Sequence, residues 1–187
     1  MKAHFSAVVL AGGRSTRMGR TKATIEISGV PLWLRQVALA QALGCRDIMI
    51  SAGPDWSPEK GPWKVITDLV AGRGPLGGLQ AAFEEMSTDW LLVLAVDMPD
   101  VSPDYLERLA EFAQARGVVP VVDGLYQGLA AIYPRSMRGL VDEAVAGEDR
   151  SVQAVVERAL GEGLVEAVAV ADADKGYFRN VNRPEDL

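Results

Sequence analysis

One cysteine, Cys45, and one histidine, His4, are the whole complement of those two types in 187 residues. A lone cysteine excludes an intrachain disulfide, so apolar burial has to hold the fold, and a reducing compartment is the simplest home. His4 precedes the first apolar run and reads as a solvated residue, which leaves no well-placed histidine for general-base work. Aromatic residues are only 6% of the chain. Trp33, Trp56, Trp63 and Trp90 share no helical or strand spacing, so they read as core or loop packing rather than a stacking platform. No apolar run approaches the ~20 residues of a membrane span. A positive excess is missing too: the formal net charge is -6, which argues against nonspecific nucleic-acid binding. A small anionic ligand stays open, because a local basic cluster can dominate one cleft of an acidic molecule.

What is present describes a globular chain. Hydrophobic residues make up 49% and charged residues 24%, with 19 Gly and 10 Pro. That composition excludes a disordered tail, a collagen-like repeat and a disulfide scaffold. The length suggests one domain over residues 1–187, large enough to bury about 70% of its unfolded surface. The short apolar start, Phe5 to Ala11, runs into Gly12-Gly13 and Arg14, Arg17 and Arg20. That is the wrong flank for a signal-peptide cleavage site, and a cytoplasmic protein is expected.

Short runs rich in Val, Ile and Leu predict strands at Phe5–Leu10, Asp47–Ser51, Lys64–Ile66, Trp90–Val96, Val118–Val122 and Val165–Val170. Helical patterns cover Leu32–Leu43, Gly77–Met86, Pro103–Gln114, Arg135–Ala146 and Val152–Leu160. Pro31 and Pro103 suit a first helical turn, Ser102 can cap the latter helix and Gly44 can end the first. Thr24–Ile27, stopping at Gly29, predicts a small edge strand or hairpin, and Tyr126–Tyr133 a further strand, antiparallel in sense. Leu91 to Val96 shows no in/out alternation, as expected of a parallel strand covered on both faces. The alternating elements predict an α/β three-layer sandwich with a mostly parallel central sheet. In such a sheet ligands bind beyond the carboxyl ends of the strands, so the residues just after strands are the candidates.

After the first strand come Ala11, Gly12 and Gly13, and then Arg14, Arg17, Arg20 and Lys22, four positive charges within nine residues. Glycine lets the backbone turn its N–H groups toward an anion, which makes a phosphate nest. This loop has neither the Walker spacing nor the dinucleotide glycine spacing. A surface turn with solvated arginines is the bland alternative. Asp97, directly after the strand ending at Val96, can hold Mg²⁺ together with phosphate oxygens and water; a loop carboxylate tied to backbone N–H groups is its alternative. Asp68, after Lys64–Ile66, is a second candidate carboxylate or an ordinary turn residue. Asp100 and Asp104 read more simply as acidic residues favouring the start of the next helix. Gly72-Arg73-Gly74-Pro75-Leu76-Gly77-Gly78 can let a flat ring lie against the backbone at a helix start, or is a plain loop.

Together these stations resemble a known family. Leu10-Ala11-Gly12-Gly13-x-Ser15-x-Arg17-Met18-Gly19-x-x-Lys22 looks like the signature of the molybdenum cofactor guanylyltransferases, within the nucleotidyltransferase superfamily of GT-A/Rossmann-like fold. The resemblance continues through Asp68, Pro75-Leu76-Gly77-Gly78 and Asp97-Met98-Pro99, and it closes with Phe178-Arg179-Asn180-Val181-Asn182-Arg183-Pro184-Glu185. The opening motif belongs to the superfamily, and the closing one points to the molybdopterin branch. Three positions depart from the family pattern. Gly77 stands in Pro-Leu-Gly-Gly where the guanylyl branch has Pro-Leu-Ala-Gly. Ser51-Ala52-Gly53 stands where asparagines are frequent, so no side-chain contact is expected at Gly53. Arg183 replaces a threonine.

The resemblance implies transfer of GMP from GTP to molybdopterin with release of pyrophosphate and Mg²⁺ as cofactor. It implies nucleotide contacts at Leu10, Ala11, Gly12, Gly13, Ser15, Lys22, Asp68, Gly77 and Asp97. Lys22, Asp97 and Arg17 would be catalytic, with Asp97 the metal ligand, and Asn180 and Asn182 would hold the acceptor. GTP and molybdopterin are the implied partners, with room for molybdoenzyme assembly proteins and none for nucleic acid or membrane. Three alternatives stay open: a molybdenum cofactor cytidylyltransferase, a sugar-1-phosphate nucleotidyltransferase, and a non-catalytic nucleotide-binding module.

Overall fold

The structure, a computed structural model, describes residues 4–12, 21–54, 56–68, 72–148 and 150–181. The strands are β1 (Phe5–Leu10), β2 (Glu26–Ile27), β3 (Val30–Pro31), β4 (Asp47–Ser51), β5 (Lys64–Ile66), β6 (Trp90–Ala95), β7 (Gly117–Val122), β8 (Leu125–Tyr126), β9 (Ala130–Pro134) and β10 (Val165–Ala169). The helices are α1 (Leu32–Ala42), α2 (Pro75–Glu85), α3 (Pro103–Phe112), α4 (Arg138–Ala146) and α5 (Val152–Gly161). Among the described residues, an eight-stranded sheet has the order β10-β7-β9-β6-β1-β4-β5, with β8 paired to β7. β9 runs antiparallel to both of its neighbours, while β1 pairs in parallel with β4 and β6.

Every residue of β1 is buried. Phe5, Ala7 and Val9 join α1 and α3 in one apolar layer. Val8 and Leu10 join α2, α4 and α5 in the other. Ser6 apart, whose hydroxyl pairs with Thr88 Oγ1 at 2.9 Å, the strand is apolar because each of its faces has its own helices to meet. Fully burying one such Val, Leu or Phe is worth about 1.5–3 kcal/mol, so these two layers dominate the stability.

Local signals set the ends of the elements. Ser102 Oγ accepts from Tyr105 N–H at 3.2 Å ahead of Pro103, as its capping position predicts. The β2–β3 hairpin turns on Ser28 and Gly29 and the β7–β8 hairpin on Asp123 and Gly124, all four at positive φ. Two consecutive positive φ values are the turn that follows strand twist, and Asp-Gly suits it. α2 begins two residues earlier than the periodicity predicts, because Gly74 at φ +59° makes the turn and Pro75 takes the first helical position. The predicted helix 135–146 opens as a 3₁₀ turn, Arg135–Met137. The predicted strand 126–133 divides into the end of a hairpin, β8, and the antiparallel β9.

The tryptophans meet as packing. Trp33 on α1 touches Trp63 edge-on at 5.2 Å between centroids and Trp56 at 5.9 Å, so the loop after β4 closes over α1. The Cys45 thiol is pushed up to about 12, first by burial and then by the Asp47 carboxylate, so it stays protonated at neutral pH. Among the described residues no helix is long and apolar enough to cross a membrane.

The chain runs outward from β1 to β4 and β5, then returns to β6 on the other side of β1. Strand order therefore reverses between β1 and β6. The crevice beyond their carboxyl ends is where an open α/β sheet takes its ligand.

Candidate active site

The crevice begins where β1 leaves the sheet. Ala11 N–H donates to the Ser51 carbonyl at 2.9 Å, and Val96 N–H donates to the Leu10 carbonyl at 3.3 Å. Leu10 and Ala11 are thus buried between the ends of β4 and β6, and Gly12 emerges exposed beyond them. A β-carbon on Gly12 would stand 3.5 Å from Gly53 N, so the two backbones run side by side. Ser51, Ala52 and Gly53 bring main chain to this edge. Gly13, Ser15 and Arg17 lie outside the described residues.

Lys22 and Asp97 come together across the crevice. Lys22 opens a short 3₁₀ helix, Lys22–Thr24, and its Nζ stands 3.8 Å from Asp97 Oδ2. Their side chains are 21% and 28% exposed, enough to meet a ligand without leaving the fold. The Asp97 carbonyl accepts from Val181 N–H at 2.8 Å, and the next carbonyl, that of Met98, accepts from the buried Gln36 amide at 3.0 Å.

Asp68 lies at the start of α2. A β-carbon on Gly77 would stand 2.7 Å from its Cγ and Oδ2, so the carboxylate rests directly on that glycine. Burial pushes the Asp68 carboxyl above its ordinary pKa. The spacing Gly-x-Gly-x-x-Gly, absent from loop 11–22, does occur at Gly72, Gly74 and Gly77, running from the loop ahead of α2 into its first turn. The first two adopt positive φ and the third admits Asp68. Gly78 serves a different contact: a β-carbon there would meet Ser51 Oγ at 2.6 Å and Leu10 Cδ2 at 2.7 Å. α2 crosses the ends of β1 and β4 at that point.

The C-terminal segment closes the other side. Phe178 is buried edge-on against Tyr105 at 5.2 Å, and Arg179 Nε donates to Asp100 Oδ2 at 2.9 Å. Asp100 therefore meets a side chain from the far end of the chain rather than serving α3, whose first turn holds Asp104. Asn180 is exposed, next to the Val181 N–H that grips the Asp97 turn. Asn182 lies outside the described residues.

Among the described residues there is no group of three or more His, Cys, Asp or Glu side chains placed to hold a metal. A single crevice carboxylate does fit a cation that arrives on phosphates, since Mg²⁺ is held by one or two carboxylates with substrate oxygens and water. Asp97, beside a lysine of opposite charge, offers that donor.

The chain is similar to known proteins along its length. The sequence profile of the MobA-like NTP transferase domain matches residues 7–170. A probable molybdenum cofactor guanylyltransferase of Opitutus terrae is 33% identical over 194 residues, covering 100% of this chain and 96% of that protein. The crystal structure of molybdopterin-guanine dinucleotide biosynthesis protein A from Archaeoglobus fulgidus superposes with a TM-score of 0.77 at 26% identity, over 97% of this chain and 94% of its own. A Mycobacterium tuberculosis protein solved in complex with manganese shares the fold, with a TM-score of 0.66 at 18% identity over 89% of this chain and 88% of its own. With its crevice at the strand-order reversal and this likeness along its length, the chain belongs to the MobA-like NTP transferase family and is a nucleotidyltransferase.

Proposed function

We propose that the chain, as one domain over residues 1–187, transfers GMP from Mg·GTP to the phosphate of molybdopterin, forming the guanine dinucleotide cofactor and releasing pyrophosphate. The observation that carries this reading is the approach of Lys22 Nζ to Asp97 Oδ2 at the strand-order reversal. The Opitutus terrae relative, a probable molybdenum cofactor guanylyltransferase, supports the choice of substrates.

The reaction makes few demands of acid–base chemistry. A phosphate acceptor is already anionic near neutral pH, so its oxygen attacks the α-phosphorus without a general base. The new P–O bond forms as the bond from the α-phosphorus to the bridging oxygen breaks, and that electron pair leaves with pyrophosphate. Positioning and charge neutralisation then supply most of the catalysis. Lys22 is assigned to the phosphates and the leaving pyrophosphate, and Arg17 to the same role. The phosphate nest is assigned to the main-chain N–H groups of Gly12 and Gly13, with Ser15; Ala11, whose own N–H is taken by the Ser51 carbonyl, is assigned to the nucleoside end. Leu10, Asp68 and Gly77 are assigned to the nucleoside end. Asp97 is the ligand for Mg²⁺, which when bound lowers the repulsion between the two anionic reactants. Asn180 and Asn182 carry both donors and acceptors, which suits a pterin and its phosphate.

A nucleotide panel with molybdopterin and Mg²⁺, read for dinucleotide product and pyrophosphate, tests the reading. GTP is expected to give product in preference to CTP, because a site that hydrogen-bonds its base leaves groups unpaired when the wrong base enters. Equal or better turnover with CTP would make the chain a cytidylyltransferase, and nucleotide binding without pyrophosphate release would make it a binding module.

A further inference from the structure

We infer that Gln36 is a positioning residue for Asp97, acting through the backbone of the Asp97–Met98 turn. This rests on the reading of Asp97 as the ligand of the nucleotide-borne metal.

Gln36 belongs to α1, on the stripe formed with Trp33, Val37 and Ala40 that is buried against the sheet. Its neighbours on that stripe are apolar, and the glutamine is 1% exposed. An amide there has to justify its desolvation, because a buried polar group without partners is unfavourable where Leu or Met would simply pack. Gln36 is only half satisfied. Nε2 donates to the Met98 carbonyl at 3.0 Å, while Oε1 is buried with no hydrogen-bond partner among the described residues. The Met98 carbonyl can only accept, so the amide has to present its nitrogen there. The bond that is made is then the reason for the amide, and the orphaned oxygen is its cost.

That bond reaches 62 residues along the chain, to the turn that carries Asp97. The same turn is held from the opposite side, since the Asp97 carbonyl accepts from Val181 N–H at 2.8 Å. Met98 N–H also folds back onto the Ala95 carbonyl at 3.4 Å. The Val181 and Ala95 bonds both fix the peptide plane that follows Asp97, and the Gln36 bond fixes the next plane, after Met98, so the turn that carries the carboxylate is held along two consecutive peptides. The carboxylate leaves the backbone in one direction, into the crevice where Lys22 waits. Groups that orient a metal ligand are commonly worth 10–100-fold in metal affinity.

Gln36→Met keeps the volume and flexibility of the side chain and removes the donor. The test is calorimetric titration of Mn²⁺ into chain mixed with a non-hydrolysable GTP analogue, with the analogue alone titrated into chain as the metal-free arm. Gln36→Met is expected to weaken Mn²⁺ binding roughly tenfold while analogue affinity without metal stays within about twofold. A purely structural role would lower the fitted stoichiometry and the melting temperature, leaving the dissociation constant of the folded fraction where it was; that result overturns the inference. Gln36→Leu answers the same question if the methionine variant does not fold. Wild-type chain that takes up no Mn²⁺ with the analogue would overturn the metal assignment of Asp97 and this inference with it. Wild-type binding matched by either variant would overturn the inference alone.

Discussion

The Asp68 carboxylate rests on Gly77, so closely that a β-carbon there would stand 2.7 Å from both Cγ and Oδ2. Any other residue at position 77 would force Asp68 out toward the crevice or push α2 away. The contact also takes water from the carboxylate, and its pKa rises above the ordinary 3.8. A carboxyl whose folded pKa is raised stabilises the fold below its unfolded pKa and loses that contribution as pH climbs through the raised value. At pH 7 ionisation of Asp68 therefore costs the fold stability relative to a neutral side chain there. Asp68→Asn is expected to melt higher than wild type at pH 7, with the gap closing by pH 3. The same variant should raise the KM for GTP roughly tenfold or more, as expected for a lost charged hydrogen bond. A melting difference independent of pH would refute the assignment of the cost to ionisation.

Lys22 and Asp97 separate function from stability. Their pair is 3.8 Å apart and partly exposed, and such pairs contribute little to folding. Lys22→Ala should melt close to wild type while losing turnover by about 10²–10³, the usual cost of one preorganised contact to developing charge. Asp97→Ala should lose activity and divalent-ion dependence together. Turnover near wild type in either variant would remove that residue from the chemistry.

Gly78 is a packing constraint at the edge of the site. Its missing β-carbon would overlap Ser51 Oγ at 2.6 Å and Leu10 Cδ2 at 2.7 Å. Gly78→Ala should destabilise the chain by about 1–3 kcal/mol through overpacking. At roughly 2–4 °C per kcal/mol for a chain of this size, thermal unfolding followed by circular dichroism resolves the change. An unchanged melting temperature would mean that α2 can slide off β1 and β4 at no cost.

The proposed acceptor role of the C-terminal segment can be tested apart from nucleotide binding. Asn180 is exposed beside the Val181 N–H that holds the Asp97 turn, and its side chain is free of that backbone duty. Asn180→Ala combined with Asn182→Ala should weaken molybdopterin use while Mg·GTP affinity stays within about threefold, since loss of a few side-chain hydrogen bonds falls on the acceptor alone. Calorimetry with GTP beside a dinucleotide-formation assay reads both. Loss of both affinities together would assign the asparagines to holding the segment in place.

The sequence by itself determined the main elements and the positions of the candidate site residues along the chain. Strongly apolar runs such as Phe5–Leu10, broken only by Ser6, and Leu91 to Val96 declare strands covered on both faces. The Gly12 loop and Asp97 follow directly from where two such runs end. These signals are local: periodicity, glycine and capping residues act within a few positions of themselves, so they can be read from neighbours in the chain. Only the tertiary structure decided which addresses meet. Gln36 looks like one polar residue on a helix until α1 packs beneath the Met98 carbonyl. Asp100 looks like a helix-start carboxylate until Arg179 arrives from 79 residues away. Gly77 and Gly78 look like paired loop glycines, yet one admits a carboxylate and the other a strand end. Such partners are chosen by the order of the strands and the depth of helix packing, which belong to the whole sheet and not to any stretch of the chain.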